Sequence, residues 1–287
     1  KEPLYASIIG NVINFCLNAF FLFVLHKGVA GVATATVISR IINLVIVVLL
    51  GAVLVKAKQH PERESNRAVM GQIIRIGLPS ACETAIYNVS MTLVIRFLNQ
   101  MDAQGLNVTA RSYTMQITNF SYCVGAALAQ ANAIMTGWHI GAKEYDACDR
   151  GTRKAAIIGV IVAVILETMF ALCSGWIMQL FSKDPQMVSL VGKLLAIDIV
   201  LEMGRVTNLV YGQALKTSGD AVFPVVMGAC FMILCSVGGT YLFGIRLGLL
   251  AVGAYIGMAG DECVRAVGMY LRWKSGKWKE KGLVKSR

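Results

Sequence analysis

Residues 155–172 read Ala155-Ala156-Ile157-Ile158-Gly159-Val160-Ile161-Val162-Ala163-Val164-Ile165-Leu166-Glu167-Thr168-Met169-Phe170-Ala171-Leu172. Apart from Glu167 this run carries no charge, and it does not alternate between polar and apolar residues. A bilayer needs roughly 20 apolar residues to be crossed as a helix, whereas barrel strands are about ten alternating residues each. The run therefore predicts a membrane-spanning helix. Reading outward in both directions, spans are predicted at 4–25, 29–55, 71–99, 107–138, 154–181, 187–215, 221–244 and 248–272. Composition agrees. Only 15% of the 287 residues are charged, against about 25% in soluble domains. The expected fold is an all-α polytopic membrane protein with about eight transmembrane helices.

The net charge of +11 comes from basic residues in connecting segments and the tail. No compact basic face appears, so no nucleic-acid partner is expected and the lipid bilayer is the expected environment. One side of the predicted topology carries Lys56, Lys58, Arg63, Arg67, Lys143, Arg150, Arg153, Lys154, Lys216 and the basic tail. The other carries only Lys27, Lys183 and Arg246. The excess of Lys and Arg marks the cytoplasmic side of a plasma or inner membrane, with both termini on it. The eight cysteines form no CxxC pair and mostly sit in apolar runs, and the three histidines lack ligand spacing, so no metal centre and no cofactor are expected.

The first two predicted helices resemble the last two. Ile9-Gly10 and Gly28-Val29-Ala30-Gly31 parallel Met227-Gly228 and Gly248-Leu249-Leu250-Ala251. Internal repeats of this kind build many transporters. The expected organisation is residues 1–55 as the last two helices of an N-terminal lobe, 56–70 as a cytoplasmic linker, 71–273 as a six-helix C-terminal lobe and 274–287 as a basic cytoplasmic tail. Four further helices are then expected upstream.

Several segments carry a family resemblance. Ile76-Gly77-Leu78-Pro79-Ser80-Ala81-Cys82-Glu83 resembles the start of the seventh helix of the multidrug and toxic compound extrusion (MATE) family. Gly125-Ala126-Ala127 through Gly141-Ala142 is similar to its eighth helix and exit. Ala214-Leu215-Lys216-Thr217-Ser218-Gly219-Asp220 with Phe223-Pro224 resembles its link between tenth and eleventh helices. Asp261-Glu262-Cys263-Val264-Arg265 resembles an acidic-basic motif in its last helix. The resemblance covers the fifth to twelfth helices. It implies a two-lobe antiporter that exports drugs or organic cations using H+ or Na+.

Ionisable residues inside a membrane are costly and mark function by default. Glu83, a turn past Pro79, is the first cation-coupling candidate, because proline frees backbone carbonyls beside it. Asp198 and Glu202, at i and i+4 on one helix face, can share a proton or a monovalent cation and are the other candidates. Na+ is a possible occupant at Glu83 or Asp198. Secondary candidates are Asp261, Glu262 and Arg265, which can pair within one helix, and Tyr87, which stands where the resemblance places the family's acid. Glu167 and Arg96 have no evident partner. Ser112, Gln116 and Asn119 recur at helical spacing and are expected to line a water-filled cavity or a helix contact, with the cavity taken as the candidate; Gly125, Ala129 and Ala133 read as close helix packing.

The expected function is secondary active transport, a cation-coupled antiport of a small organic cation or drug. A lipid-linked sugar flippase of the same superfamily would favour a basic cavity, and here the intramembrane acids outnumber the bases. A non-transporting membrane fragment is the alternative from another class. No nucleophile–base set appears, so no enzyme is expected.

Overall fold

The computed structural model describes residues 2–57, 66–102 and 104–280. The chain divides into two units, Lys1–Val69 and Met70–Arg287. All regular structure among the described residues is helical. Residues 58–65 of the expected linker and 281–287 of the expected tail lie outside the described residues.

The first unit is a helical hairpin. Helix α1 (Glu2–Ala19) continues as a wider π-helical turn over Phe20–Val24, and α2 (Gly28–Ala57) returns beside it. The contact is made of small residues. Ala6, Ala35 and Ser39 are buried, and a Cβ on Gly10 would stand 2.9 Å from Asn43 Nδ2. Large side chains such as Phe15 and Val29 point outward, 75% and 88% exposed. This inversion of the soluble pattern is what lipid selects, since association there rests on close packing rather than on burial from water. One polar bond crosses the pair, Asn14 Nδ2 donating to Ser39 Oγ at 2.9 Å.

The second unit runs through α3 (Asn66–Met101), α4 (Leu106–Gly141), α5 (Tyr145–Leu172), the short α6 (Ser174–Met178), α7 (Pro185–Thr217), α8 (Val222–Phe231) and α9 (Leu250–Lys274). Two π-helical turns, Met232–Val237 and Thr240–Arg246, extend α8, and a 3-10 turn, Lys277–Glu280, follows α9. Helix α7 is the central post, packed along α9, α4 and α5. Its Leu194, Leu195, Leu201, Val206 and Val210 are fully buried. Helix α5 shows the same inverted pattern as the hairpin. Its buried face is Cys148, Thr152, Ala156, Gly159, Ala163 and Glu167, whereas Ile157, Ile158, Ile161 and Ile165 are more than half exposed.

Local signals set the ends. Asp184 caps α7 by accepting from Gln186 N at 3.0 Å, with Pro185 in the first turn where no amide partner is needed. Before α4, Gly105 takes φ of 71°, and Asp102 accepts from Leu106 N and Asn107 N at 3.0 Å each. Burial alone would raise the Asp102 carboxyl, but hydrogen bonds from Asn107, Leu106 and Gly105 hold it below the usual range. Asn107 Oδ1 then accepts from Ala251 N at 3.1 Å, pinning the start of α9 to the start of α4.

Residues 5–24, 28–52, 145–172 and 222–246 form helices long and apolar enough to cross a membrane by composition alone. The remaining long helices, α3, α4, α7 and α9, have lower apolar content, and α7 and α9 carry most of the buried charge.

The repeat is visible in the backbone, in a register different from the one the glycines suggest. In the first hairpin Leu25 N donates to Phe20 O, Lys27 N to Phe21 O and Gly31 N to Lys27 O. In the second, Leu247 N donates to Leu242 O, Leu249 N to Phe243 O and Gly253 N to Leu249 O. All positions differ by 222 (243 − 21). Positive φ falls at matching turn positions, His26 and Gly28 in one and Gly248 and Leu250 in the other. Gly31 thus matches Gly253, and each packs on the equivalent phenylalanine, Phe21 or Phe243. The sequence comparison instead pairs Gly10 with Gly228 and Gly28 with Gly248. Its error is to assume that the turn conserves glycine at the same place, when a positive-φ position is held by Gly28 in one hairpin and by Leu250 in the other.

Candidate functional site

Helices α7 and α9 cross with little between them. A Cβ on Gly204 would stand 2.8 Å from the backbone of Glu262 and Cys263. This close approach brings their acids and bases into one alternating chain. Arg205 donates to Glu202 Oε2 at 2.8 Å and reaches Glu262 Oε1 at 3.7 Å. Arg265 bonds Glu262 Oε1 at 2.8 Å and grips Asp261 with two bonds of 2.9 Å. Asn208 Nδ2 donates to Glu262 Oε2 at 3.0 Å, and Ser236 Oγ to Asp261 Oδ2 at 2.9 Å. Helical spacing of three and four residues lines these groups up on facing surfaces.

This buried network is short of cations. Five buried carboxyls, Glu167, Asp198, Glu202, Asp261 and Glu262, lie with two guanidiniums, Arg205 and Arg265. The deficit shows as orphaned oxygens. Both Oε atoms of Glu167, Asp198 Oδ2 and Glu202 Oε1 are buried without a hydrogen-bond partner. Such atoms are costly in a low-dielectric interior unless a proton or cation meets them. Among the described residues no group of three or more His, Cys, Asp or Glu is placed to hold a metal ion.

The sequence candidates separate on this scaffold. Asp198 and Glu202 lie in the network region, 2% and 0% exposed, and Asp261, Glu262 and Arg265 are its other half. Glu83 is elsewhere on α3. Lys216 Nζ, from the last turn of α7, donates to its Oε2 at 2.5 Å, and its Oε1 faces Gly228 of α8. Tyr87 is 43% exposed. Ser112, Gln116 and Asn119 are exposed within this unit, and Ser112 Oγ is turned onto Val108 O. The buried polar face of α4 is instead Asn107, Arg111, Thr114, Thr118 and Ser121. Gly125, Ala129 and Ala133 are buried contacts as expected. Sequence reasoning left Glu167 without a role and counted Lys216 as a loop cation. The signal for Glu167 was present, because it continues the three-to-four spacing of Thr152, Ala156, Gly159 and Ala163 and so faces inward.

A second polar cluster closes the end of the unit where α5 begins and α9 ends. Arg272 Nε donates to Asp220 Oδ2 at 2.7 Å and stacks over Phe223. Trp273 Nε1 donates to Asp149 Oδ1 at 2.8 Å, and Arg153 bonds the other oxygen at 3.0 Å. Trp278 stacks on Trp273 with centroids 4.2 Å apart and donates to its carbonyl.

Helices with small-residue contacts, an exposed aliphatic surface and a buried acidic network define an all-α polytopic membrane protein. The MatE family model matches residues 79–242, more than half of the chain. The chain belongs to the MatE family. It is 32% identical over 290 residues to the uncharacterized transporter YisQ of Bacillus subtilis, covering 99% of this chain and 63% of that protein. It is 22% identical to the probable multidrug resistance protein NorM of Pasteurella multocida, covering 96% of this chain and 61% of that one. Among solved structures, a eukaryotic MATE transporter, AtDTX14, superposes with a TM-score of 0.86 at 18% identity, covering 97% of this chain and 63% of the other. A MATE protein crystallised in a straight conformation gives 0.81 at 20% identity, covering 96% and 63%. These superpositions bear out the all-α polytopic fold. The chain spans somewhat less than two thirds of the length of these relatives.

Proposed function

We propose that this chain is part of a secondary active transporter that exports small organic cations or drugs in exchange for H+ or Na+. The observation that carries the reading is the cation deficit around α7, where Asp198 and Glu202 keep unpartnered buried oxygens beside an otherwise matched ion-pair chain. A cation drives transport only when it binds two conformations unequally. Carboxyls whose neutralisation decides whether α7, α9 and α5 repel or pack supply that inequality. Tyr87 on α3 and Ser112, Gln116 and Asn119 on α4, all exposed within this unit, are the candidate wall for substrate. Family membership and the names of the relatives, multidrug resistance proteins among them, support the substrate class. The distribution of Lys and Arg supports insertion in the plasma or inner membrane with the basic loops and tail inside.

The test is ethidium efflux by the full-length protein in proteoliposomes under an imposed pH or Na+ gradient. Asp198→Asn is expected to abolish gradient-driven efflux while leaving insertion intact. Undiminished efflux would remove Asp198 from the mechanism. The flippase reading gains no support from this unit, because its buried network is acidic on balance.

A further inference from the structure

Glu167 is 0% exposed, and neither of its carboxyl oxygens has a hydrogen-bond partner. Three helices surround it. From α4 comes Ser121, 1% exposed, whose Oγ makes no hydrogen bond of ordinary geometry and is the hydroxyl next to the Glu167 carboxyl. From α7 come Asp198, Glu202 and Arg205, all within electrostatic reach. Arg205 is committed, 2.8 Å from Glu202 and 3.7 Å from Glu262 of α9. On its own helix, Glu167 ends a stripe of small residues. Glu202 Oε1 points at α4 one turn from Ser121, 3.9 Å from where a Cβ on Gly125 would stand. Helices α4, α5 and α7 therefore bring together unpartnered oxygens of two carboxylic acids and a serine, and Asp198 Oδ2 of α7 is a further one.

A buried carboxyl whose polar neighbour on α4 is a single serine hydroxyl, and which lies beside two acidic neighbours, is tolerable in an apolar interior only when a proton or a cation neutralises it. The described residues gather no three-ligand group for a metal ion. A proton, by contrast, turns the Glu167 carboxyl into a donor, and each orphaned oxygen nearby is an acceptor. We propose that Glu167 is a third proton-binding group of this unit, holding a proton in this conformation and exchanging it with Asp198 and Glu202. The transfer breaks the O–H bond on Glu167 and forms one on Asp198 Oδ2 or Glu202 Oε1; no other bond changes. Ser121 is the positioning residue, its hydroxyl accepting from the protonated acid. This deepens the antiport reading and rests on its assignment of the α7 carboxyls to coupling.

The experiment is infrared difference spectroscopy on the full-length protein in lipid, without substrate, across a pH series and after exchange into deuterated water. The expected result is a protonated-carboxyl stretching band that shifts on deuteration, is lost in Glu167→Gln and moves in frequency in Ser121→Ala. A band of unchanged intensity in Glu167→Gln overturns the proposal. Where that variant does not insert, an unshifted band in Ser121→Ala overturns it instead. Proton-driven ethidium efflux measured in parallel separates the two readings. A Glu167 band in a protein that shows no such efflux keeps the proton site and sinks the antiport; efflux with no Glu167 band does the reverse.

Discussion

The hairpin of α1 and α2 and the hairpin of α8 and α9 share a backbone and differ in chemistry. Both end their first helix in π-helical turns, cross through matching positive-φ positions and pack a glycine against a phenylalanine. At equivalent places the first has Asn14 bonded to Ser39, and the second has Ser236 bonded to Asp261. Asn43 of the first, which crowds Gly10, matches Arg265 of the second, which holds Asp261 and Glu262. One scaffold thus carries a neutral polar pair in one copy and an ion-paired cluster in the other. Small residues and turn geometry make the hairpin; its charges are added for another purpose.

That contrast can be broken deliberately. Arg265→Ala should do the most damage, about 3–5 kcal/mol, because it strands two buried carboxylates. Thermal unfolding of the full-length protein in detergent measures it. Replacing Asp261 and Arg265 together by the residues of the first hairpin, Ser and Asn, should cost clearly less than Arg265→Ala while abolishing transport; an equal loss of stability would show that charge, not shape, holds the second hairpin. Gly253→Ala comes next, at about 1–3 kcal/mol, since its Cβ would meet the Phe243 backbone at 2.4 Å. Gly31→Ala should cost less, its nearest contact being the Lys27 side chain at 2.9 Å. Asp102→Asn is the smallest, about 1 kcal/mol, and loosens only the second hairpin through Asn107 and Ala251. Its pH dependence has a definite sign. A carboxyl held below its usual value stabilises fully above the unfolded pKa, near 3.8, and loses that stability as pH falls through the folded value. The gap between the parent and Asp102→Asn should therefore be constant near neutrality and close in acid.

Much of this was legible beforehand. Seven of the eight apolar runs were read within five residues of their helices, because a charge-poor stretch of spanning length has few alternatives; the fifth, 154–181, starts nine residues late, because the first turns of α5 are polar, and runs across the break between α5 and α6. The α7 and α9 acids were legible for the same reason, as rare charges in apolar surroundings. What spacing alone could not show was distance in sequence. Glu83 and Lys216 are 133 residues apart, and nothing local joins them. On α4 the polar residues form two faces, and the one chosen, through Ser112, Gln116 and Asn119, is exposed within this unit, while Thr114, Thr118 and Ser121 face its core. Glu167 needed the small residues on its own helix to be read as the inward face.

The stacked pair at the end of α9 has an optical consequence. Of the four tryptophans, Trp138 and Trp176 are 71% and 75% exposed, whereas Trp273 and Trp278 are 3% and 1% exposed and lie parallel, 8° apart. Two parallel, stacked indoles in contact couple their excited states, so the tryptophan circular dichroism carries a contribution from this one place in the chain. Any movement that parts α9 from the turn behind it would be read in that signal, without a label.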